Sequence, residues 1–508
     1  MNKLKYIWII IFLVGLGLRS TYVLHPIDTL SWRESDEAAI AKNYYENHMH
    51  FFHPQINWGG TGPGFAEMEF PVYPYLIALS YKVFGFHESV GRIIALIFSL
   101  AAMLVFFRLS RLLFDKRTAI IVSFFFAISP LSIVVSDTIQ PESIMFFFYV
   151  CAAYTFIRWL EEESYKNLLL TVFCTAFALL SKITAGHIGI LFLLLILTKK
   201  NWKFLFNYRL ILFGTLSLVP SMLWYNYSHQ FYINYGNSLG LSNEYAWVGL
   251  DFFTDPSFFL GIIKNEIHYV WMSYGLVIVL LAIFLTTLVK TSNFKLAFFW
   301  IVAVFIFYVI ASRTTSENWA YYYHIFSVPA ASILLGISIA ALYEKYFQYL
   351  KFEFVNLSNL VPFLTNMIVP LLLIVLLFLQ IAYSFRSTYR KKNEVFQTSE
   401  YYLSRNKLSE IITNKPLILA SGFICADSKG YPKAYNSSYF FYWLNKKGYN
   451  ICIGEQTIEN VKTFSEKGAS YFIAEKSALK QKNGFEEELN KNYISLYNDD
   501  GLIVYKLK

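Results

Sequence analysis

Charge is what this chain has least of. Only 15% of its 508 residues are Asp, Glu, Lys or Arg, against 56% hydrophobic and 19% aromatic, which excludes an ordinary soluble core. The apolar stretches lack the short alternation of an outer-membrane barrel, so they are expected to be membrane-spanning helices. There is no fixed-period repeat and no low-complexity linker. The first apolar run has no small-residue cleavage site before Arg19 and His25, and is expected to stay as a signal anchor. Only four cysteines occur, none at metal-ligand spacing; Cys151 and Cys174 fall inside apolar runs as small hydrophobes. Cys425 and Cys452 are available to each other if the tail is extracytoplasmic, and spacing leaves that bond open.

What is present is a series of apolar runs, each close to the length of about twenty residues that crosses a hydrocarbon layer roughly 30 Å thick. They cover 6–24, 92–109, 119–135, 143–160, 168–180, 183–197, 210–225, 269–288, 296–311, 322–342 and 361–383, about eleven spans. The formal net charge of +9 belongs to this pattern rather than to nucleic-acid binding, because Lys and Arg sit beside the ends of the runs. With every span counted, the clusters around Lys3, Arg108, Arg158, Lys199, Lys290 and Lys345 share one face, expected to be cytoplasmic. Basic residues at both ends of 168–198 require a hairpin there, not one long helix.

Outside the cytoplasm then lie the loop 26–88, the tip 135–143, the loop 226–268, the stretch 312–320 and everything after 385. In the tail, strand-length apolar runs at 417–420, 470–474 and 502–505 enclose helix-like stretches at 439–445 and 458–466. The expected organisation is an α-helical polytopic membrane domain over 1–384, with the first extracytoplasmic loop at 26–88, and an extracytoplasmic α/β domain over 385–508.

Carboxylates collect in the first loop. Ser31 or Ser35 starts a helix to Tyr45 that carries Asp36-Glu37, where acids in a capped first turn are as well explained by the helix dipole as by chemistry. Glu69-Phe70-Pro71 then opens an aromatic helix ending at Gly85, expected to lie along the membrane surface and wall a cavity, with Arg92 just inside the next span. Pro130 ends the third span, and Gln140-Pro141-Glu142 opens the fourth, bringing a second carboxylate to the same mouth. Lys182 sits at the hairpin tip, where the positive-inside bias does not put a lysine; snorkelling at a helix end accounts for it as well as a role in binding does. For the tyrosine run Tyr321 to Tyr323 the plainer account is an interfacial belt. His48, His50 and His53 have mixed spacing, which favours surface residues; no metal and no cofactor are expected.

In their order these features resemble the GT-C membrane glycosyltransferases, specifically the bacterial branch near the dolichyl-phosphate-mannose-protein mannosyltransferases and the lipid A aminoarabinose transferases. The resemblance covers roughly 6–342 and rests on Asp36-Glu37, Glu69-Phe70-Pro71, Gly85, Arg92, Pro130, Gln140-Pro141-Glu142, Ser181-Lys182 and Tyr321-Tyr322-Tyr323-His324 leading to Pro329. It implies a GT-C fold and an inverting transfer of a sugar from a polyprenyl-phosphate carrier, in a bacterial inner membrane, to an extracytoplasmic glycolipid, envelope glycan or protein. Asp36 matches the family's first-loop acid and is implied as general base, with Glu37 in support. A hydroxyl is a poor nucleophile near neutrality, and a positioned base helps by about 10² to 10⁴.

A leaving lipid phosphate needs cations or donors, for which Lys182, Arg313, Tyr322, Tyr323 and His324 are candidates; Glu69 and Glu142 are candidates for holding substrate. Related aminoarabinose transferases place Lys between the Glu and Pro where this chain has Phe70, so donor handling is expected to shift to Lys182 or Arg313. The rival expectations are a transporter or flippase of lipid-linked glycans and an envelope scaffold. Transporters crowd polar residues at the midplane in repeated halves, whereas here they crowd one mouth.

Overall fold

The structure is a computed structural model that describes residues 3–242, 251–347, 360–414, 416–428 and 430–508. Each expected span falls on a helix or on a broken pair of helices. Among the described residues, five helices are long and apolar enough to cross a membrane: Ser89–Leu113, Glu142–Glu162, Ser292–Ile310, Asn318–Tyr346 and Ile368–Val395. The pair Pro256–Val270 and Gly275–Leu285 adds a sixth if its 91° bend belongs to one span, and Tyr6–Arg19, Tyr165–Ser181 and Ile183–Lys199 are shorter apolar helices. The protein is a multi-pass membrane protein.

Several spans differ from expectation, among them 269–288, which breaks between Val270 and Gly275. The run 119–135 is not continuous: Lys116–Ala127 ends at Ile128, and Pro130 opens a separate short helix, Pro130–Val135. Proline has no N–H to give and fits the first turn of a helix, so it starts the second segment instead of closing the first. The last membrane helix, Leu360–Val395, continues past residue 384, so the α/β fold begins beyond the boundary read from composition.

The hairpin over 165–199 is present. Tyr165–Ser181 stops at an extended Lys182, a short 3-10 turn follows, and Ile188–Lys199 returns the chain to its starting end. There Lys199 meets Glu161 at 3.2 Å and Lys200 meets Glu163 at 2.5 Å. Arg209 donates to Glu163 O at the same end. Lys182 is therefore at the opposite end of the bundle from these basic clusters, together with the first loop.

The tail is a five-stranded sheet ordered β2-β1-β3-β5-β4, with β1 Leu417–Ser421, β2 Gly448–Ile451, β3 Ala469–Glu475, β4 Ile494–Asn498 and β5 Leu502–Lys506. β1 pairs in parallel with β2 and β3, whose crossovers carry the helices Ser438–Leu444 and Ile458–Glu466; β5 is antiparallel to β3 and β4. Cys425 and Cys452 are joined in a disulfide that ties the chain after β1 to the end of β2.

This domain rests directly on the first loop. Gly60 N donates to Gly448 O at 2.7 Å and Gly448 N to Asn57 O at 3.0 Å, while the Trp443 indole donates to Ile27 O at 2.6 Å. Gly448 is required where it stands, because a Cβ there would lie 1.8 Å from Ile418 O of the neighbouring strand.

Candidate active site

The helix Trp32–Glu46 sets the geometry. Ser31 caps it by accepting from Glu34 N, and the Glu34 carboxylate turns away from the first turn to take Arg92 Nη1 at 2.5 Å and Ile139 N at 2.8 Å. Arg92 also donates to Asp137 O at 2.6 Å and His25 O at 3.0 Å, so one buried guanidinium clamps the first-loop helix to the tip between the third and fourth spans. Glu34 and Arg92 thus build the site without entering it.

Arg33, Asp36 and Glu37 follow at i, i+3 and i+4 and occupy the other face. Arg33 Nη2 lies 3.0 Å from Glu37 Oε1 and contacts the Glu69 carboxylate, while Nη1 donates to Leu239 O at 2.9 Å. Glu69 is placed by its neighbour: Phe70 N donates to Leu180 O at 3.0 Å, docking the segment on the end of Tyr165–Ser181. The Phe70 ring packs edge-on against Trp224 and Phe51, so the position is an aromatic wedge. Lys182, just past that helix end, contacts Glu142 and lies 4.8 and 4.6 Å from the ring centroids of Tyr322 and Tyr323.

Arg33, Glu69, Glu142, Lys182, Tyr322 and Tyr323 line one small cavity. Through Trp32, Arg33, Gln140 and Tyr322 it joins a larger cleft of about 620 Å³, whose far wall is 397–401 at the start of the tail domain.

Asp36 lies one turn from Arg33 and is only 1% exposed. Its Oδ1 accepts from the Trp58 indole at 3.0 Å, and its Oδ2 has no hydrogen-bond partner among the described residues. Ser438 of the tail covers this face, donating to Trp32 O at 2.7 Å with its Oγ 3.4 Å from Ser35 Oγ. Burial pushes the Asp36 carboxyl up to about 7, against the opposing pull of the Trp58 indole, Arg33 and Ser438. Burial likewise lifts Glu37 to about 8; Arg33 opposes this, and the carboxylates of Glu69, Glu142 and Asp36 add to it. Glu69 goes the other way: burial would raise it, but Arg33 and then Lys182 hold it below the usual carboxylate value.

Asp36, Glu37, Glu69, Glu142, Lys182, Tyr322 and Tyr323 therefore gather in one region. His324 does not join them. Its ring is buried, with Nδ1 2.8 Å from Glu266 Oε1 and Nε2 2.8 Å from Thr315 O, in a network that also ties Tyr308 and Trp271 to Glu266. Arg313 belongs to the short helix Ser312–Ser316, and its side chain lies outside the described residues. Arg33 and Ser438 were not singled out from the sequence. For Arg33 a signal existed, since an arginine three and four positions before two acids shares their helical face. For Ser438 there was none, because nothing local ties it to the first loop.

Comparison with known proteins agrees with this architecture. Residues 68–225 match the family model described as dolichyl-phosphate-mannose-protein mannosyltransferase. ArnT from Cupriavidus metallidurans in the apo state superposes with a TM-score of 0.62 at 12% identity, over 99% of this chain and 98% of that one. The same protein bound to undecaprenyl phosphate gives 0.59 at 12% identity, over 99% and 97%. The Archaeoglobus fulgidus oligosaccharyltransferase in complex with zinc and sulfate gives 0.57 at 13% identity, over 98% and 73%. No curated protein matches the chain by sequence. Its fold is that of the GT-C membrane glycosyltransferases.

Proposed function

We propose that the protein is an inner-membrane glycosyltransferase that moves a sugar from a polyprenyl-phosphate donor to an extracytoplasmic acceptor hydroxyl on a glycolipid, an envelope glycan or a protein. The N-terminus is cytoplasmic and the tail extracytoplasmic, because the basic clusters gather at the end of the bundle away from the tail. The observation that carries the proposal is the pairing of a buried carboxylate that lacks a full set of partners, Asp36, with an adjoining cleft that holds Arg33 and Lys182. Two solved neighbours support the donor class: ArnT binds undecaprenyl phosphate, and AglB from Archaeoglobus fulgidus was solved with a dolichol-phosphate.

In this mechanism Asp36 Oδ2 takes the proton of the acceptor hydroxyl as its oxygen attacks the anomeric carbon. The bond from that carbon to the phosphate oxygen breaks on the opposite side, which inverts the configuration. Arg33 and Lys182 receive the charge that develops on the leaving phosphate, in place of part of their pairing with Glu69 and Glu142. A carboxyl near 7 suits a base at neutral pH. Glu37 keeps Arg33 oriented, and Tyr322 and Tyr323 border the donor. Since Asp36 is buried under Ser438, the acceptor reaches it by displacing the helix Ser438–Leu444.

The test is transfer by the purified protein from labelled polyprenyl-phosphate sugars to envelope extracts. Asp36→Asn keeps the shape and removes the proton acceptor; it should retain folding and donor binding while transfer falls by about 10² to 10⁴. A normal rate in that variant would end the general-base assignment.

A further inference from the structure

Beside the cleft, and sharing Lys391 and Glu394 with it, lies a second cavity of about 340 Å³. One wall is the tail-side end of Leu360–Val395, where Tyr383, Arg386, Ser387 and Arg390 recur at helical spacing; the other carries Lys264 and His268. The charge is lopsided. Lys391 is matched by Glu394 at 2.7 Å, but Lys264, Arg386 and Arg390 have no ion-pair partner among the described residues.

All three side chains are exposed, and on a flat surface they would need no explanation. Here they face one concavity, with Arg386 and Arg390 one turn apart on the same helix, where like charges repel. They also sit at the end of the bundle opposite the basic clusters, the side the positive-inside rule leaves poor in Lys and Arg. Just before them the same helix exposes Leu371, Ile374, Phe378 and Phe385, an apolar flank suited to acyl chains. Two guanidinium forks above an apolar flank match a phosphate whose ester carries fatty chains.

We propose that this cavity binds the phosphate of an anionic lipid headgroup, with Arg386 and Arg390 donating to its oxygens and Lys264 closing from the opposite wall. It is separate from the donor phosphate site assigned to Arg33 and Lys182, and it is a binding site in its own right whatever the fate of the transfer mechanism. Only its assignment to the outer leaflet rests on the orientation proposed above.

The experiment titrates the purified full-length protein in a neutral detergent with short-chain phosphatidylglycerol, short-chain phosphatidylcholine and inorganic phosphate, following thermal stability. Phosphatidylglycerol should raise the melting temperature saturably and phosphatidylcholine should not. The double variant Arg386→Gln/Arg390→Gln should bind phosphatidylglycerol at least about tenfold more weakly, the loss of roughly one charge-assisted hydrogen bond. If that variant does not fold, Lys264→Gln, on the other wall, should weaken binding and flatten its salt dependence. Equal responses to the two lipids, or unchanged affinity in the variants, would overturn the site. Inorganic phosphate as effective as the lipid would overturn the lipid assignment.

Discussion

The two ends of the helical bundle use the same ion pairs in opposite surroundings. At the basic end, Arg158–Glu162, Lys199–Glu161 and Lys200–Glu163 have side chains 27 to 49% exposed. At the loop end, Arg33–Glu69, Arg92–Glu34, Lys182–Glu142 and Lys392–Asp137 are between 0 and 14% exposed. Exposed pairs contribute little, because water solvates each partner nearly as well alone. Buried pairs must recover a large desolvation cost, and apolar side chains of similar volume would often hold a fold as well. Arg92–Glu34 serves as a clamp, whereas Arg33–Glu69 and Lys182–Glu142 border the cleft, where buried charge accords with the chemistry proposed above.

The strongest way to break that contrast is to immobilise the loop end. Ser35→Cys with Ser438→Cys, whose native hydroxyls are 3.4 Å apart, should form a disulfide that fixes the tail helix over Asp36. Oxidised protein should lose the base's whole contribution, about 10² to 10⁴ in transfer rate, and recover it on reduction, with each single variant as control. Full activity in the oxidised form would mean that Asp36 is reached without displacing that helix.

Next in size is the removal of one buried partner. Lys182→Met leaves the Glu142 carboxylate buried and unpaired and should destabilise by about 3 to 5 kcal/mol, read as a fall in melting temperature in detergent. Adding Glu142→Leu should return most of that stability but not donor binding. If Lys182→Met is as stable as the native protein, Lys182 is solvated and the contrast between the ends fails at that point.

The contrast also has a pH signature. Burial raises Asp36 to about 7 and Glu37 to about 8, so the folded state holds protons that the unfolded chain has already released. Their contribution to stability is fully present at acid pH and lost as pH rises through about 7 and 8, whereas transfer needs Asp36 deprotonated and should rise over the same window. Arg33→Gln removes the cation that opposes both shifts and should move the midpoint of the rate profile upward. A rate profile flat through about 7 and about 8 would leave no titrating base.

The smallest effects belong to the basic end. Lys199→Gln and Arg158→Gln should each change stability by no more than about 1 kcal/mol and leave transfer untouched.

What could be read from the sequence was local. A helix carrying Asp36 and Glu37 that starts at Ser31 or Ser35, which the structure resolves to Ser31, the start at Glu142 and the hairpin around Lys182 all follow from neighbours a turn or two away. The disagreements come from contacts between distant segments or from weak local signals. His324 was grouped with the tyrosine run beside it, but its partner Glu266 belongs to another helix. β2 is four residues containing Gly and Asn, and β4 is a largely exposed edge strand, so neither has the apolar run that marks a buried strand. Nothing in the tail's composition showed that it would sit on Asp36.

The contact between Ser438 and Ser35 spans 403 positions of the 508-residue chain. The first-loop helix is therefore synthesised well before its cover, so the contact that closes over Asp36 does not exist while the intervening helices are being made. Contacts this distant in sequence form late, after the loops between them have closed. A chain interrupted between the helix Leu360–Val395 and the helix Ser438–Leu444 would leave Asp36 without the Ser438 cover. The cover on the first loop is thus laid down after the helices that carry that loop, as a separate and later step of folding.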